Sequence, residues 1–407
     1  MMGEEMHEKK RVPAIRFAGF TEPWEQRKFG DLYERVTEKN DLTYGIDKSI
    51  TVASMQYKKD GCITNEDYLR TYTICLLGDI VFEGHQSKQF RFGRFVENDL
   101  GNGIVSHIFM VFRPKTDYDL YFWKYAINNE QLMRKILSHC TKASRMMNDL
   151  VIQDFFKESM PVPTINEQQM IGHFFYKLDQ LITLHQRKCD ALKKVKKSLL
   201  QKMFPKEGSV VPEIRFAGFT EAWKQRELGN FIIEYTEVTT ENNQYPALTS
   251  SRKGIFLQTD YFSGNQIASE DNTGYNIVPY GYFTYRHMSD DEIFYFNINN
   301  IVENGIVSTL YPVFTTNIEL DSKYLQYQLN YGYEFAKFAR LQKQGGSRTY
   351  MYLNKLKKLR ITIPLSIKEQ KSISKVLLEL DRIITLHQRK LDQLKTIKKS
   401  LLQQMFV

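Results

Sequence analysis

The sequence predicts a mixed α/β (α+β) protein: two globular domains separated by two long antiparallel helices that form a coiled coil, arranged as a pseudo-two-fold symmetric tandem repeat. Three observations in the 407 residues predict it. The stretch from Val12 to Gly30 returns as Val211 to Gly229, with 14 of 19 positions identical. The stretch from Leu178 to Phe204 returns as Leu380 to Phe406, with 20 of 27 identical. Both of these long basic stretches are proline-free and carry apolar residues at alternating steps of three and four, the spacing of an under-wound helix. A repeat unit of about 200 residues is far longer than the 20 to 50 of a solenoid, so the chain reads as duplicated domains.

The boundaries follow from these segments. An N-terminal segment spans 1–23, a first globular domain 24–165 and a central long helix 166–205. A linker that restarts the repeat spans 206–222, a second globular domain 223–365 and a C-terminal long helix 366–407. Proline-bearing stretches, Pro161-Val-Pro163 and Pro364, precede the helices and disfavour extending them backwards. The expected seam of the first helix is Phe174, Leu178, Leu181, His185, Lys188, Leu192, Val195 and Leu199. That of the second is Val376, Leu380, Ile383, His387, Lys390, Leu394, Ile397 and Leu401. Ile182, Cys189, Leu200, Ile384, Leu391 and Leu402 widen the stripe. Two equivalent halves closing about a two-fold axis make the helices antiparallel. On the seams, Leu178, Leu181, His185, Leu192, Val195, Leu199, Leu380, Ile383, His387, Leu394, Ile397 and Leu401 are the candidate interface residues. His185 and His387 read as hydrogen-bonded seam residues or a register-setting pair rather than ligands, since no carboxylate or Cys stands at ligand spacing.

The globular halves have mixed patterns. Ile104 to Phe112 and Ile306 to Phe314 look like strands, while Tyr121 to Leu137 and Lys323 to Leu341 have helical spacing. Gly and Asn punctuate the rest.

Composition narrows the function. The chain is 42% hydrophobic and 25% charged, with 27 Phe and 24 Tyr, which suits folded cores. No apolar run is long enough for a membrane helix, and Met1 to Arg11 lacks the apolar centre of a signal peptide, so a cytoplasmic location and no membrane partner are expected. Cys62, Cys75, Cys140 and Cys189 form no Cys-x-x-Cys pair and read as reduced, packed thiols; no metal site is expected. Phosphate-loop, dinucleotide-binding, zinc-hydrolase and serine-hydrolase motifs are missing, so no catalytic residue is assigned and the chain is not expected to be an enzyme.

The net charge is +9. Residues 166–204 and 368–406 each carry +5, so the surplus lies on the helices. A solvated helix face is the ordinary reading. The sharper one places Lys193, Lys194, Lys196, Lys197, Lys395, Lys398 and Lys399 near phosphates or an acidic partner subunit. Loops of the globular halves mix cations, amides and hydroxyls with aromatics. Arg can pair with guanine edges, Asn and Gln with adenine, and Ser with phosphates. The DNA-binding candidates are Ser87, Lys88, Gln89, Arg91, Arg94, Ser144 and Arg145 in the first half, and Ser251, Arg252, Lys253, Arg286, His287, Ser347 and Arg348 in the second. The acidic run Asp290-Asp291-Glu292, peculiar to the second copy, reads as a loop charge cluster rather than a metal site.

The order of motifs resembles the DNA-specificity subunit of a type I restriction–modification system over nearly the whole chain, Val12 to Phe406. The motifs are Trp24 to Gly30 and Trp223 to Gly229, a Ser-Arg segment, a proline-containing strand end, the pairs Glu167-Gln168 and Glu369-Gln370, and the long basic helices. The chain departs from the family's usual Pro-Leu-Pro-Pro run, with Met160-Pro-Val-Pro-Thr-Ile and Ile363-Pro-Leu-Ser-Ile, and the first copy lacks the Gly pair before Ser144. The resemblance implies two target recognition domains, each binding one half of a bipartite asymmetric site on double-stranded DNA. It implies helices that set the spacer and dock two methyltransferase subunits. It implies no cofactor in this chain: S-adenosylmethionine would serve adenine methylation in the methyltransferase subunits, and ATP and magnesium the restriction (translocase) subunits. The rival reading is a stand-alone sequence-specific DNA-binding regulator without enzyme partners.

Overall fold

A computed structural model describes residues 12–58, 66–144, 147–343 and 348–407. Candidates Arg145 and Ser347, together with Cys62, lie outside the described residues. The chain divides into two units, one formed by residues 1–187 with 388–407 and the other by 188–387. The long helices, Ile165–Lys202 and Ile367–Gln404, are each divided near the middle, so every unit owns half of both. Among the described residues no helix is long and apolar enough to cross a membrane.

In the first unit a four-stranded antiparallel sheet runs in the order Tyr33–Val36, Met110–Pro114, Ile80–Glu83, Arg94–Glu97. A separate pair joins Glu25–Lys28 to Ser159–Val162. Helices Leu120–Ile127 and Glu130–Cys140 complete the layer. The expected single helix is broken because Asn129 turns its side chain onto the Gln131 amide and caps a new one. Phe29, Phe95 and Phe155 stack at 4.5 and 4.7 Å in the core. The expected strand Ile104 to Phe112 is likewise two strands, Gly103–Val105 and Met110–Pro114.

The second unit repeats this plan. Its sheet order is Ile232–Tyr235, Val313–Thr316, Phe283–Thr284, Asn297–Ile298. Lys224–Glu227 pairs with Arg360–Ile363, and helices Ser322–Tyr331 and Tyr333–Leu341 meet at Gly332.

The recurring Glu-Gln pair has a mechanical role in both units. Glu167 takes a two-pronged ion pair from Arg16 at 2.6 and 2.8 Å, and Glu369 takes one from Arg215 at 2.6 and 2.9 Å. The neighbouring Gln168 and Gln370 accept from the amides of Asp119 and Asp321 and donate to the carbonyls of Pro163 and Pro364. Asp119 and Asp321 in turn cap the helices that follow, accepting from Phe122 and Tyr324. One dipeptide thus ties the N-terminal repeat motif, the proline-bearing strand end and the following domain helix to the start of the long helix.

Within the first unit the two helix halves run antiparallel: Phe175 meets Phe406 at 5.9 Å, and Asp179 meets Lys398 at 2.6 Å. Within the second unit Cys189 Sγ lies 3.9 Å from the Ile384 carbonyl, and Lys196 pairs with Asp381 at 2.6 Å, again antiparallel. The inward stripes, buried or half-buried, keep the four-three step, at Ile171, Phe175, Leu178, Ile182, His185, Cys189, Leu192, Lys196, Leu199 and Met203. The second helix matches it, at Ile373, Leu377, Leu380, Ile384, His387, Leu391, Leu394, Lys398, Leu401 and Met405.

This corrects the expected seam. Half of it holds, but every second position moves by one residue. Leu181 (47% exposed), Val195 (48%), Ile383 (41%) and Ile397 (47%) face outward. Lys188 and Lys390 are exposed too, and Phe174 packs on Phe17 at 5.9 Å instead. Two stripes one residue apart share their other positions, so local spacing does not choose between them. The lysines at 196 and 398 argued against the true stripe. They are accommodated because each lays its ammonium over a tyrosine ring, Lys398 at 4.9 Å from Tyr125 and Lys196 at 5.4 Å from Tyr327, while pairing with the helix aspartate. Tyr125 and Tyr327 donate to those same aspartates at 2.6 and 2.7 Å. Burial, reinforced by the aspartate, pushes both phenols up.

One buried group has no counterpart in the other copy. Glu97 is buried with no hydrogen-bond partner for either oxygen, and it opposes Ile80; the second unit has Ile298 opposite Phe283. Burial, then the nearby Asp99, pushes the Glu97 carboxyl well up. The unfolded chain ionises near the ordinary glutamate value while the folded chain holds its proton. Stability therefore falls as pH rises through that interval, and the penalty is absent below it. Glu97→Ile should add about 1–3 kcal/mol of unfolding free energy at pH 8 and clearly less at pH 4, read from urea denaturation at both pH values. An equal gain at both would assign the effect to packing alone.

Candidate nucleic-acid interface

The first unit's candidates sit on the connection between the strands Ile80–Glu83 and Arg94–Glu97. A tight turn forms because Ser87 Oγ accepts from the Phe90 amide at 2.9 Å, while the Ser87 amide donates to the Phe90 carbonyl at 3.0 Å. Lys88 and Gln89 occupy its exposed tip. Asn148 anchors the base. Its side chain accepts from Gln86 and donates to the Arg91 carbonyl, both at 3.0 Å, and its amide donates to the Gly84 carbonyl. A Cβ at Gly84 would collide with the Asn148 carbonyl, so glycine is required there. This anchor draws the segment carrying exposed Ser144 beside the turn. Arg91 is exposed, with its guanidinium over the Phe92 ring, 5.7 Å from the centroid. Arg94 is held internally, by Glu83 at 2.6 Å and the Ala53 carbonyl at 2.9 Å. Lys88, Gln89 and Arg91 are therefore presented, whereas Ser87 and Arg94 shape the loop.

The second unit brings its candidates together around residues 286–292. The strand Met288–Ser289 pairs with Thr349–Tyr350, which sets Arg348 beside Asp290 at 2.9 Å. Arg252 comes from the hairpin between Leu248–Ser251 and Gly254–Leu257, and its guanidinium pairs with Asp291. Arg252, with help from Ser289, holds the Asp291 carboxyl down at about 2. Lys343, at the end of the Tyr333–Leu341 helix, reaches Glu292 at 2.6 Å. Ser251 closes the hairpin by accepting from the Lys253 amide and donating to the Gly254 carbonyl. Lys253 and Arg286 are exposed. His287 is buried, with Nδ1 against the Leu310 carbonyl and its ring stacked on Tyr352 at 4.9 Å, so it supports the surface from beneath.

Residue patterns alone passed over Asn148, Lys343 and the parallel pair Tyr350 and Tyr352, whose rings lie 5.9 Å apart on the exposed face beside Arg348. The period-two spacing of the tyrosines after the Ser-Arg segment was the available signal. On the helices, Lys193, Lys194, Lys197, Lys395 and Lys399 are exposed, while Lys196 and Lys398 are committed to internal pairs.

Comparison with known proteins places this geometry. The description "Type I restriction modification DNA specificity domain" matches twice, at residues 21–194 and 223–396. A protein of Methanocaldococcus jannaschii described as a type I restriction enzyme MjaX specificity subunit is 23% identical over 425 aligned positions, covering 94% of this chain and 92% of the relative. The crystal structure of a type I restriction–modification system S subunit from M. genitalium aligns with a TM-score of 0.57 at 14% identity, covering 97% of this chain and 99% of that one. An HsdS subunit structure from Thermoanaerobacter tengcongensis aligns at 0.44 and 16% identity, covering 96% and 98%. A duplicated frame with unlike loops, matched twice by the same description, means that the chain belongs to the family of type I restriction modification DNA specificity domains and carries two of them.

Proposed function

We propose that this chain is the non-catalytic DNA-specificity subunit of a type I restriction–modification complex. Each unit's loops read one half of a bipartite, asymmetric site on double-stranded DNA. The long helices set the spacer and dock two methyltransferase subunits. S-adenosylmethionine, held by those partners, supplies the methyl group for adenine, and ATP with magnesium serves restriction subunits. The outward-facing Leu181, Val195, Ile383 and Ile397 and the free helix lysines are the surface offered to the methyltransferases; Leu178, Leu192, Leu199, Leu380, Leu394, Leu401, His185 and His387 hold the helices beneath.

One observation carries the reading. The two units reproduce each other's internal supports, Arg16–Glu167 against Arg215–Glu369 and Tyr125–Asp179–Lys398 against Tyr327–Asp381–Lys196. Their loops share almost nothing: one turn tip is cationic and the other acidic. A fixed frame carrying interchangeable surfaces suits readers of different base sequences. Mapping methylated adenines genome-wide in cells with and without this chain tests it. The expected result is one non-palindromic two-part motif that vanishes with the chain; an unchanged methylation pattern overturns the proposal.

A further inference from the structure

Much of the second unit's candidate recognition surface is neutralised from within, although Lys253 and Arg286 remain exposed on it. Three cations reach it from three different elements: Arg252 from a hairpin, Lys343 from a helix end and Arg348 from the strand edge. Each is met by one member of the consecutive run Asp290-Asp291-Glu292. The pairs are on the surface, with Arg348 and Asp290 side chains 50% and 67% exposed, so they contribute little to stability. Glu292 sits at φ +63°, a left-handed conformation uncommon for glutamate, and from there meets Lys343. Among the described residues the first unit has no such arrangement at the matching place. In the register of the paired strands, where Ile80 matches Phe283, Lys88 stands where the second copy has Asp291, and it projects from an open turn.

Carboxylates spaced along a chain and paired one-to-one with Arg and Lys offer those cations what a nucleic-acid backbone offers, anionic oxygens at successive positions. We propose that Asp290, Asp291 and Glu292 are an internal substitute for DNA phosphates, which the second recognition domain must exchange for the duplex before it can bind. This rests on the DNA-reading function proposed above and adds a division of labour. The first unit's free cations make salt-sensitive first contact. The second unit engages only where base contacts repay the lost ion pairs, which suppresses binding to non-target duplex.

The test uses the full chain co-expressed with its methyltransferase subunit. Fluorescence anisotropy on a random-sequence 40-base-pair duplex is measured over a potassium chloride series, beside a duplex carrying the mapped methylation site. In Asp290→Asn/Asp291→Asn/Glu292→Gln, three cations are released. Affinity for the random duplex should rise roughly tenfold, and the slope of log affinity against log salt should steepen by about 0.9 per cation released. Affinity for the site duplex, whose binding displaces the same three carboxylates, should rise by at least as much. Adding Arg348→Ala to the triple variant should remove part of the gain. Should the triple variant fail to fold, the single exposed change Asp290→Asn should still raise affinity for the random duplex and steepen its salt slope. Unchanged or weakened random-duplex binding, with wild-type complex binding its site normally, overturns the exchange idea alone. Wild-type complex that binds neither duplex overturns the DNA-reading function itself.

Discussion

Replacing residues 231–344 with the matching segment of another family member is expected to change the bases read in one half of the methylated site and to leave the other half as it was. The segment carries the second unit's sheet strands, its Arg252 hairpin and the acidic run, and it ends just beyond the helix that presents Lys343. Left in place are the Arg215–Glu369 pair, Trp223 with its Nε1 on Glu369 at 3.2 Å, and the strand pair Lys224–Glu227 with Arg360–Ile363. Both long helices are untouched. The graft is therefore held by native attachments at each end, and the first unit's own loop anchor at Asn148 is unaltered. Methylome sequencing reads the outcome directly. A motif altered in both halves, or in neither, would show that the units do not read separately. The expected effect is a change of the bases read at the exchanged half, because the graft replaces the candidates Ser251, Arg252, Lys253, Arg286 and His287 while Arg348 stays in place.

The second large effect concerns the attachment itself. Arg16→Ala should cost about 3–5 kcal/mol of stability, the usual consequence of leaving a buried charge without its partner. The Glu167 side chain is wholly buried and Arg16 is its two-pronged counter-ion. Lysine offers one point charge where the site is built for a planar fork, so Arg16→Lys should recover only part of the loss. The double change Arg16→Ala/Glu167→Leu should be more stable than Arg16→Ala alone, since the carboxylate that suffers is gone. Urea denaturation of the three variants checks the series. A loss below about 1 kcal/mol for Arg16→Ala would place the pair with ordinary surface bridges. The outcome matters for function because this pair fixes the N-terminal motif to the start of the helix on which the whole unit is hung.

The distribution of what could be read from residues alone follows interaction range. Both long helices were legible to within three residues at each end, since periodicity and proline placement are local. The turn at Ser87 to Phe90 was legible as a loop but not as a hydrogen-bonded tip, and Asn148, which organises it, stands 57 positions away from Arg91 in the chain. Of the candidates for DNA contact, Lys88, Gln89 and Arg91 are presented freely, whereas Arg94 is bound within the fold and Arg252 and Arg348 are masked by carboxylates. Cation type announces an affinity for anions; only folding decides which anion arrives first.

Duplication, the existence and length of the helices, and the excess positive charge on them are properties of the residue string, because repetition and short-range spacing survive without a structure. The packed stripe of each helix, the lysines tucked under tyrosines, and the pairing of Asp290, Asp291 and Glu292 with three cations were settled by tertiary contact. Two adjacent helical stripes differ by one residue, about 100° of rotation, and are near-equal choices until a neighbouring surface buries one of them. Asp290 and Arg348, 58 positions apart, become partners only when strands bring them together, and no local pattern records that meeting.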